Sequence, residues 1–187
     1  MLCHKMWTFT LDTSCVLHAV QRQAQAPAVE ALLDAARAAR VSLWLSAAFA
    51  ADQSGASNEH LRANLEWLAG QPVNQELPGP FRLDYSALDG PDVLIDDDTA
   101  KVAEIVEEIL LPPHLRVGQL DGQDEPQMAK WRRKVNDVQH LVAHHMAGHD
   151  GFVTTDFDDM IKRSRELWTR AQIPVLTPTE AVALLQS

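Results

Sequence analysis

No stretch of this chain approaches the ~18 consecutive apolar residues that a membrane-spanning helix needs. Even so, 46% of its 187 residues are hydrophobic, enough for a sizeable core. Asp12 and His18 interrupt the only N-terminal segment that could resemble a secretory leader, so none is expected. Cysteine is scarce. Cys3 and Cys15 stand alone without CxxC spacing, which excludes a disulfide framework and fits free thiols in a reducing cytoplasm. Basic charge is short as well: 16 Lys and Arg face 26 Asp and Glu, a formal net charge of -10. That balance argues against broad affinity for nucleic-acid phosphates, though a local basic patch remains compatible with it. There is no internal repeat and no low-complexity tract. The length predicts a single domain over 1–187, with a Pro/Gly/Asp-rich, irregular elaboration at about 71–97.

What is present is a set of short apolar strands alternating with helices. Strands are expected at 6–11, 41–46, 151–155 and 173–176. Helices are expected at 27–39, 47–52, 58–69, 98–111 with Asp98 as N-cap, 127–147 stopping at Gly148, and 158–171. Residues 112–126 read as a loop, and a break is expected near 54–57. A last helix opens at "TPTE", with Thr177 as N-cap, Pro178 at the first helical position and Glu180 completing a capping box. This alternation predicts an α/β fold with a mostly parallel sheet, in which sites form beyond the carboxyl ends of the strands where strand order reverses.

Two strands run into aspartates at those ends. "TFTLDTSCVL" stops its apolar run at Asp12, and "GFVTTDFDDM" repeats the plan at Asp156. Asp137 borders the apolar face of the long helix that feeds the second of these strands, and Asp52 lies one or two turns into the helix after "VSLWLS". Carboxylates gathered in one crevice repel each other unless a cation compensates, and all-oxygen ligation suits Mg²⁺ or Mn²⁺. Such an ion can orient water and stabilise charge in phosphoryl displacement. Thr13, Ser14, Asn136, Thr154 and Thr155 could orient the carboxylates or hold water around them.

The pieces "FTLDTSCVL", "LSAAFADQ" and "NDVQHLVAHHMAGHDGFVTTDFDDM", in this order and spacing, resemble the PIN domain family. The resemblance covers roughly residues 6–70 and 98–176. It implies a three-layer α/β/α sandwich and a metal-dependent, single-strand-specific endoribonuclease, with many relatives serving as the toxins of VapC-type toxin–antitoxin pairs. Asp12 matches the first family acid, Asp137 the third and Asp156 the fourth, with Asp158 or Asp159 as its acidic companion. The second family acid is usually Glu; here Asp52, one methylene shorter, holds the best-matching position. The resemblance also implies RNA as substrate, an antitoxin-like protein inserting a segment into the acidic groove, and a homodimer.

Competing readings attach to the same segments. His140/His144 and His145/His149 are i, i+4 pairs that could bind zinc, but no HExxH or nearby cysteine accompanies them, and His140 could instead sit by the acids one turn after Asp137. "KWRRK" and "IKRSR" could carry RNA contacts through Arg132, Arg133, Lys162 and Arg163, with Trp131 or Trp168 as stacking surfaces, or could be solvated helix faces. "DTSCV" lacks the last hydroxyl of the DxSxS site of von Willebrand A-type domains, because position 16 is Val, and "LDTSC" lacks the second Asp of haloacid-dehalogenase phosphatases. The alternative function is a PIN-fold binding or scaffold module without catalysis, favoured by Asp52 and the net charge and opposed by the intact Asp12, Asp137 and Asp156.

Overall fold

Side chains alternate across a strand, and in this chain that alternation assigns each helix to a face of the sheet. In the computed structural model, which describes residues 6–53, 57–82, 86, 90–113 and 125–186, β1 is Trp7–Leu11 and β2 is Val41–Ser46. Phe9, Leu11, Leu43 and Leu45 all point to one face and are fully buried there. That face receives α1 (Thr13–Val20), α2 (Ala26–Arg37), α4 (Asn58–Ala69) and, through Ala181, α8 (Pro178–Leu184). The opposite face receives α5 (Asp97–Leu110) and α6 (Glu125–Ala147), which pack with Phe152, Met160, Leu167 and Ile173. A short α3 (Ala48–Gln53) follows β2, and a brief α7 (Ser164–Glu166) lies in the helical run after β4 (Gly151–Val153).

The sheet has five strands in the order β3-β2-β1-β4-β5, all parallel, with β3 at Val73–Leu77 and β5 at Val175–Leu176. This is the three-layer α/β/α architecture. The chain moves outward from β1 in one direction, then crosses back to place β4 on its other side, so the reversal of strand order falls between β1 and β4. Phe9 pairs with Gly151 across that junction. A Cβ at Gly151 would stand 2.8 Å from Leu176 Cδ1 and 3.3 Å from the Phe9 ring, so any side chain there would push Leu176 aside and press on Phe9.

Several expectations need correction. The segment 71–97 is not wholly irregular, because it contributes β3 to the sheet edge. Its sequence "VNQEL", flanked by Pro72 and Pro78, is polar enough to hide a strand that pairs on one side only. Helix α1 directly follows β1, although no helix was expected over 13–20. Asp96, not Asp98, is the N-cap of α5, accepting 2.8 Å from Thr99 N; Asp97 and Asp98 fall in the first turn, where their charge suits the helix dipole. The expected helix over 158–171 begins as a turn, then runs as 3₁₀ (Ile161–Arg163), α and π (Leu167–Ala171) segments, and the final strand shortens to two residues. The Gly148 stop, at φ 64°, and the Thr177/Glu180 capping box are present as expected. Most of the expected 112–126 loop, the 54–56 break and Cys3 lie outside the described residues. Cys15 is a buried free thiol, and burial pushes its pKa up.

The face of β1 and β2 that meets α6 carries hydroxyls, and this explains the histidines. Thr10 Oγ1 lies 3.0 Å from His144 Nδ1 and 2.9 Å from His149 Nδ1. A hydroxyl has one proton, so Thr10 can donate to at most one of the rings, and at least one ring carries its proton on Nδ1. His149 also lies against Trp44, with ring centroids 5.7 Å apart. Among the described residues these two histidines therefore serve packing, and no zinc-type cluster includes them.

Burial, then the neighbouring His149 and His145, push the His144 pKa down to about 3, with Asp150 opposing. Below the ordinary histidine pKa of 6.5 the unfolded chain takes up a proton that the folded chain refuses. This contribution to stability is therefore complete above 6.5 and declines as pH falls toward about 3. Urea denaturation across that window should show a loss of at most about 1.4 kcal/mol per pH unit from this group, and His144→Gln should flatten the slope. An unchanged slope would contradict it.

Candidate metal centre

At the switch point, Asp12 ends β1 and occupies the N-cap position of α1, yet its carboxylate makes no capping hydrogen bond. It is turned instead toward the end of β4. Asp12 Oδ2 accepts from Thr154 Oγ1 at 2.7 Å and from Ser14 Oγ. Each hydroxyl in turn accepts a backbone N–H 3.0 Å away, Thr154 from Asp156 and Ser14 from Thr155. The small hydroxyl residues around Asp12 thus relay the Thr155 and Asp156 amides, just past β4, onto one carboxylate oxygen.

Asp156 lies three residues beyond β4. Its Oδ1 accepts from the backbone N–H groups of Asp158 at 3.1 Å and Asp159 at 3.0 Å. Asp156 thereby closes the turn that opens the following segment. Asp137, on α6, receives Lys134 Nζ at Oδ2, 3.2 Å away; the same ammonium also pairs with Asp159. Burial pushes the Asp137 carboxyl up to about 7, the charge of Asp12 adds to this, and Lys134 opposes it. Lys134 is held above its ordinary range: burial works against it, and Asp137 and Asp159 outweigh that.

Asp12, Asp137 and Asp156 share a pattern. Each has one carboxylate oxygen engaged by the protein and the other, Asp12 Oδ1, Asp137 Oδ1 and Asp156 Oδ2, without a hydrogen-bond partner among the described residues. All three line a cleft of about 750 Å³, together with Thr13, Ser14, Asp52 and Asn136.

Asp52, on α3, is different. Its Oδ1 accepts from Asn136 Nδ2 at 2.6 Å, and its Oδ2 from Thr13 Oγ1 at 2.6 Å and His140 Nε2 at 2.8 Å. Burial works against its charge, but His140, Thr13 and Asn136 hold the carboxyl below its ordinary range. His140 is fully buried; burial disfavours its cation, yet Asp52, then Asp12 and Asp137, hold its pKa above 6.5.

The structure brings Asp12, Asp52, Asp137 and Asp156 to one cleft. Asp158 lies outside its lining, exposed and paired 2.6 Å from Lys162 Nζ. Of the expected orienting residues, Thr13, Ser14, Asn136 and Thr154 touch the acids. The Thr155 hydroxyl does not: it is buried with no partner among the described residues, as is Asn136 Oδ1. Of the basic residues, Arg132 lines the cleft but pairs with Glu125 at 3.2 Å, and Arg133 lines it with no acidic partner among the described residues. Lys162 and Arg163 are committed to Asp158 and Asp159. Trp131 is 3% exposed and belongs to the core, so it offers no stacking surface; Trp168 is exposed. Sequence reasoning missed Ser46, which meets His140 from the end of β2, and Lys134, whose i, i+3 spacing to Asp137 was a legible signal.

Oxygen donors gathered in one cleft suit a hard divalent cation: Asp12, Asp137 and Asp156 each offer a half-open carboxylate there, and Asp137 is raised chiefly by burial. Among the described residues, the side chains that bring possible ligand atoms within 4.8 Å of one another are Asp12, Asp52 and His140.

No family model matches the sequence, and no curated protein matches it. The fold is similar to that of a chain in the crystal structure of VapBC2 from Rickettsia felis bound to a DNA fragment from their promoter. That likeness has a TM-score of 0.50 at 11% identity and covers 91% of this chain and 98% of that one. At this identity the likeness is one of fold. With the strand order and layers above, it defines a PIN-like α/β/α sandwich. No helix among the described residues is long and apolar enough to cross a membrane.

The burial of Asp137 has a measurable cost. An acid whose folded pKa is raised loses stability as pH climbs from 3.8 through about 7, because the unfolded chain ionises first. In chelator at about pH 8, Asp137→Asn should raise the unfolding free energy by about 1–2 kcal/mol, and the gain should vanish near pH 4. Equal or lower stability of the variant at the higher pH would contradict this.

Proposed function

We propose that this protein is a divalent-metal-dependent endoribonuclease acting on RNA in the cytoplasm. The observation that carries the reading is the trio of half-open carboxylates, Asp12, Asp137 and Asp156, set in one cleft at the switch point of a PIN-like sheet. These three would hold Mg²⁺ or Mn²⁺, which when bound supplies charge stabilisation at phosphate oxygens and a more acidic water. The residues around them do the rest. Ser14 and Thr154 fix Asp12, and the amides of Asp158 and Asp159 fix Asp156. Lys134 keeps Asp137 in place and offsets part of the repulsion. Arg133, at the cleft wall without an acidic partner among the described residues, is a cation positioned to hold a backbone phosphate. No side-chain nucleophile is required.

The VapBC2 neighbour was solved as an assembly on promoter DNA. That likeness supports extending its class of partner to this chain: a small antitoxin-like protein that covers the acidic cleft, with the nuclease as the toxin of the pair and two copies forming a homodimer. The alternative, a catalytically silent binding or scaffold module, draws on Asp52, whose two oxygens are both taken by protein donors.

The deciding measurement is cleavage of a mixed single-stranded RNA pool with Mn²⁺, with Mg²⁺ and with EDTA, beside an Asp12→Asn, Asp156→Asn double variant. Cleavage that requires metal and disappears in the variant is expected. No cleavage, with no metal-induced rise in melting temperature, would transfer the assignment to the binding module. For Arg133→Glu, RNA affinity should drop and the slope of log affinity against log salt should shallow by about one; an unaltered slope would remove Arg133 from the interface.

A further inference from the structure

Asp52 and His140 form a closed polar latch. His140 Nε2 faces the Asp52 carboxylate, which can only accept, so Nε2 carries a proton and donates. Its Nδ1 is 2.6 Å from Ser46 Oγ. Neither ring nitrogen is open to an ion, although Asp12, Asp52 and His140 each bring a possible ligand atom within 4.8 Å of one another. Proximity alone would make these three a metal site. The hydrogen bonds argue otherwise, because three protein donors already occupy both oxygens of Asp52. Two of those donors are the sequence neighbours of metal-facing acids: Thr13 follows Asp12 and Asn136 precedes Asp137. The third, His140, anchors the latch to the end of β2 through Ser46.

We propose that Asp52 and His140 are positioning residues and not ligands. The latch ties α3, α1, α6 and β2 together, and through Thr13 and Asn136 it sets the separation of the Asp12 and Asp137 carboxylates. One methylene shorter than Glu, Asp52 ends at the ring of protein donors instead of reaching past it. The inference rests on the metal-site reading above and deepens it.

The test is Mn²⁺ binding by calorimetry at low temperature, where circular dichroism shows each variant folded, for wild type, Asp12→Asn, Asp52→Asn, His140→Gln and Ser46→Ala. Melting in chelator accompanies it. Asp12→Asn should abolish measurable binding. Asp52→Asn and His140→Gln should each weaken it about tenfold, at the lower end of the 10–100-fold cost typical of groups that orient ligands. Ser46→Ala, the mildest change, should weaken binding in the same direction and keeps the test informative if His140→Gln does not fold. In chelator, the Asp52→Asn, His140→Gln double variant should melt no lower than the worse single variant, since each change breaks the same latch.

Loss of Mn²⁺ binding in Asp52→Asn as complete as in Asp12→Asn would make Asp52 a ligand and overturn the proposal. Unchanged affinity in folded Asp52→Asn and His140→Gln would reduce the latch to plain stability and overturn it too. Additive melting losses in the double variant would dissolve the latch itself. Absence of Mn²⁺ binding by the wild type would overturn the metal site together with this inference, which distinguishes that failure from the other three.

Discussion

Burial of the Asp137 carboxylate, with the charge of Asp12 adding to it, is the constraint around which the carboxyl end of this sheet is built. Burial pushes the Asp137 pKa up to about 7, the charge of Asp12 adds to this, and keeping that carboxylate ionised is costly. The surrounding side chains divide that cost. Lys134 faces Asp137, two hydroxyls and the amides behind them face Asp12, and Asp52 is neutralised in place by its three donors. None of these arrangements consumes the second oxygen of Asp12, Asp137 or Asp156. A cluster that satisfied every oxygen would be a structural ion-pair network; one that leaves three oxygens unengaged in a common cleft is suited to a cation.

The sheet makes this crowding possible. Parallel strands all present their carboxyl ends on the same side, and reversal of strand order between β1 and β4 opens the crevice into which Asp12 and Asp156 project. Alternation along β1 and β2 then separates two functions of the core. One face carries Phe9, Leu11, Leu43 and Leu45 into an apolar cluster with α1, α2 and α4. The other meets α6 with Thr10 and Ser46, and those two hydroxyls receive His144 and His140 at i, i+4 spacing. The same helix thus carries a packing histidine and, one turn earlier, the histidine of the site.

Several features were legible without coordinates because they follow from local rules. The apolar runs ending in Asp12 and just before Asp156, the Gly148 stop, the Thr177 capping box and the β–α alternation come from propensity and period. So did the choice of acids, since the order of Asp12, Asp52, Asp137 and Asp156 along the chain matched a known pattern. Strand β3 was hidden, because an edge strand pairs on one side only and tolerates the polar "VNQEL" between two prolines. Asp158 drew attention by adjacency to Asp156, but Lys162, at i+4 on an exposed turn, holds it outward.

By itself, the sequence determined the class of fold and pointed to Asp12, Asp52, Asp137 and Asp156, which the structure brings to one cleft. Only the tertiary structure decided which donors each acid meets. Whether a carboxylate oxygen is open or spent depends on donors that lie far off in the sequence: Thr154 for Asp12, and Asn136 and His140 for Asp52. Those donors arrive through the crossover that brings α6 and β4 back beside β1, a long-range packing event that no local periodicity encodes.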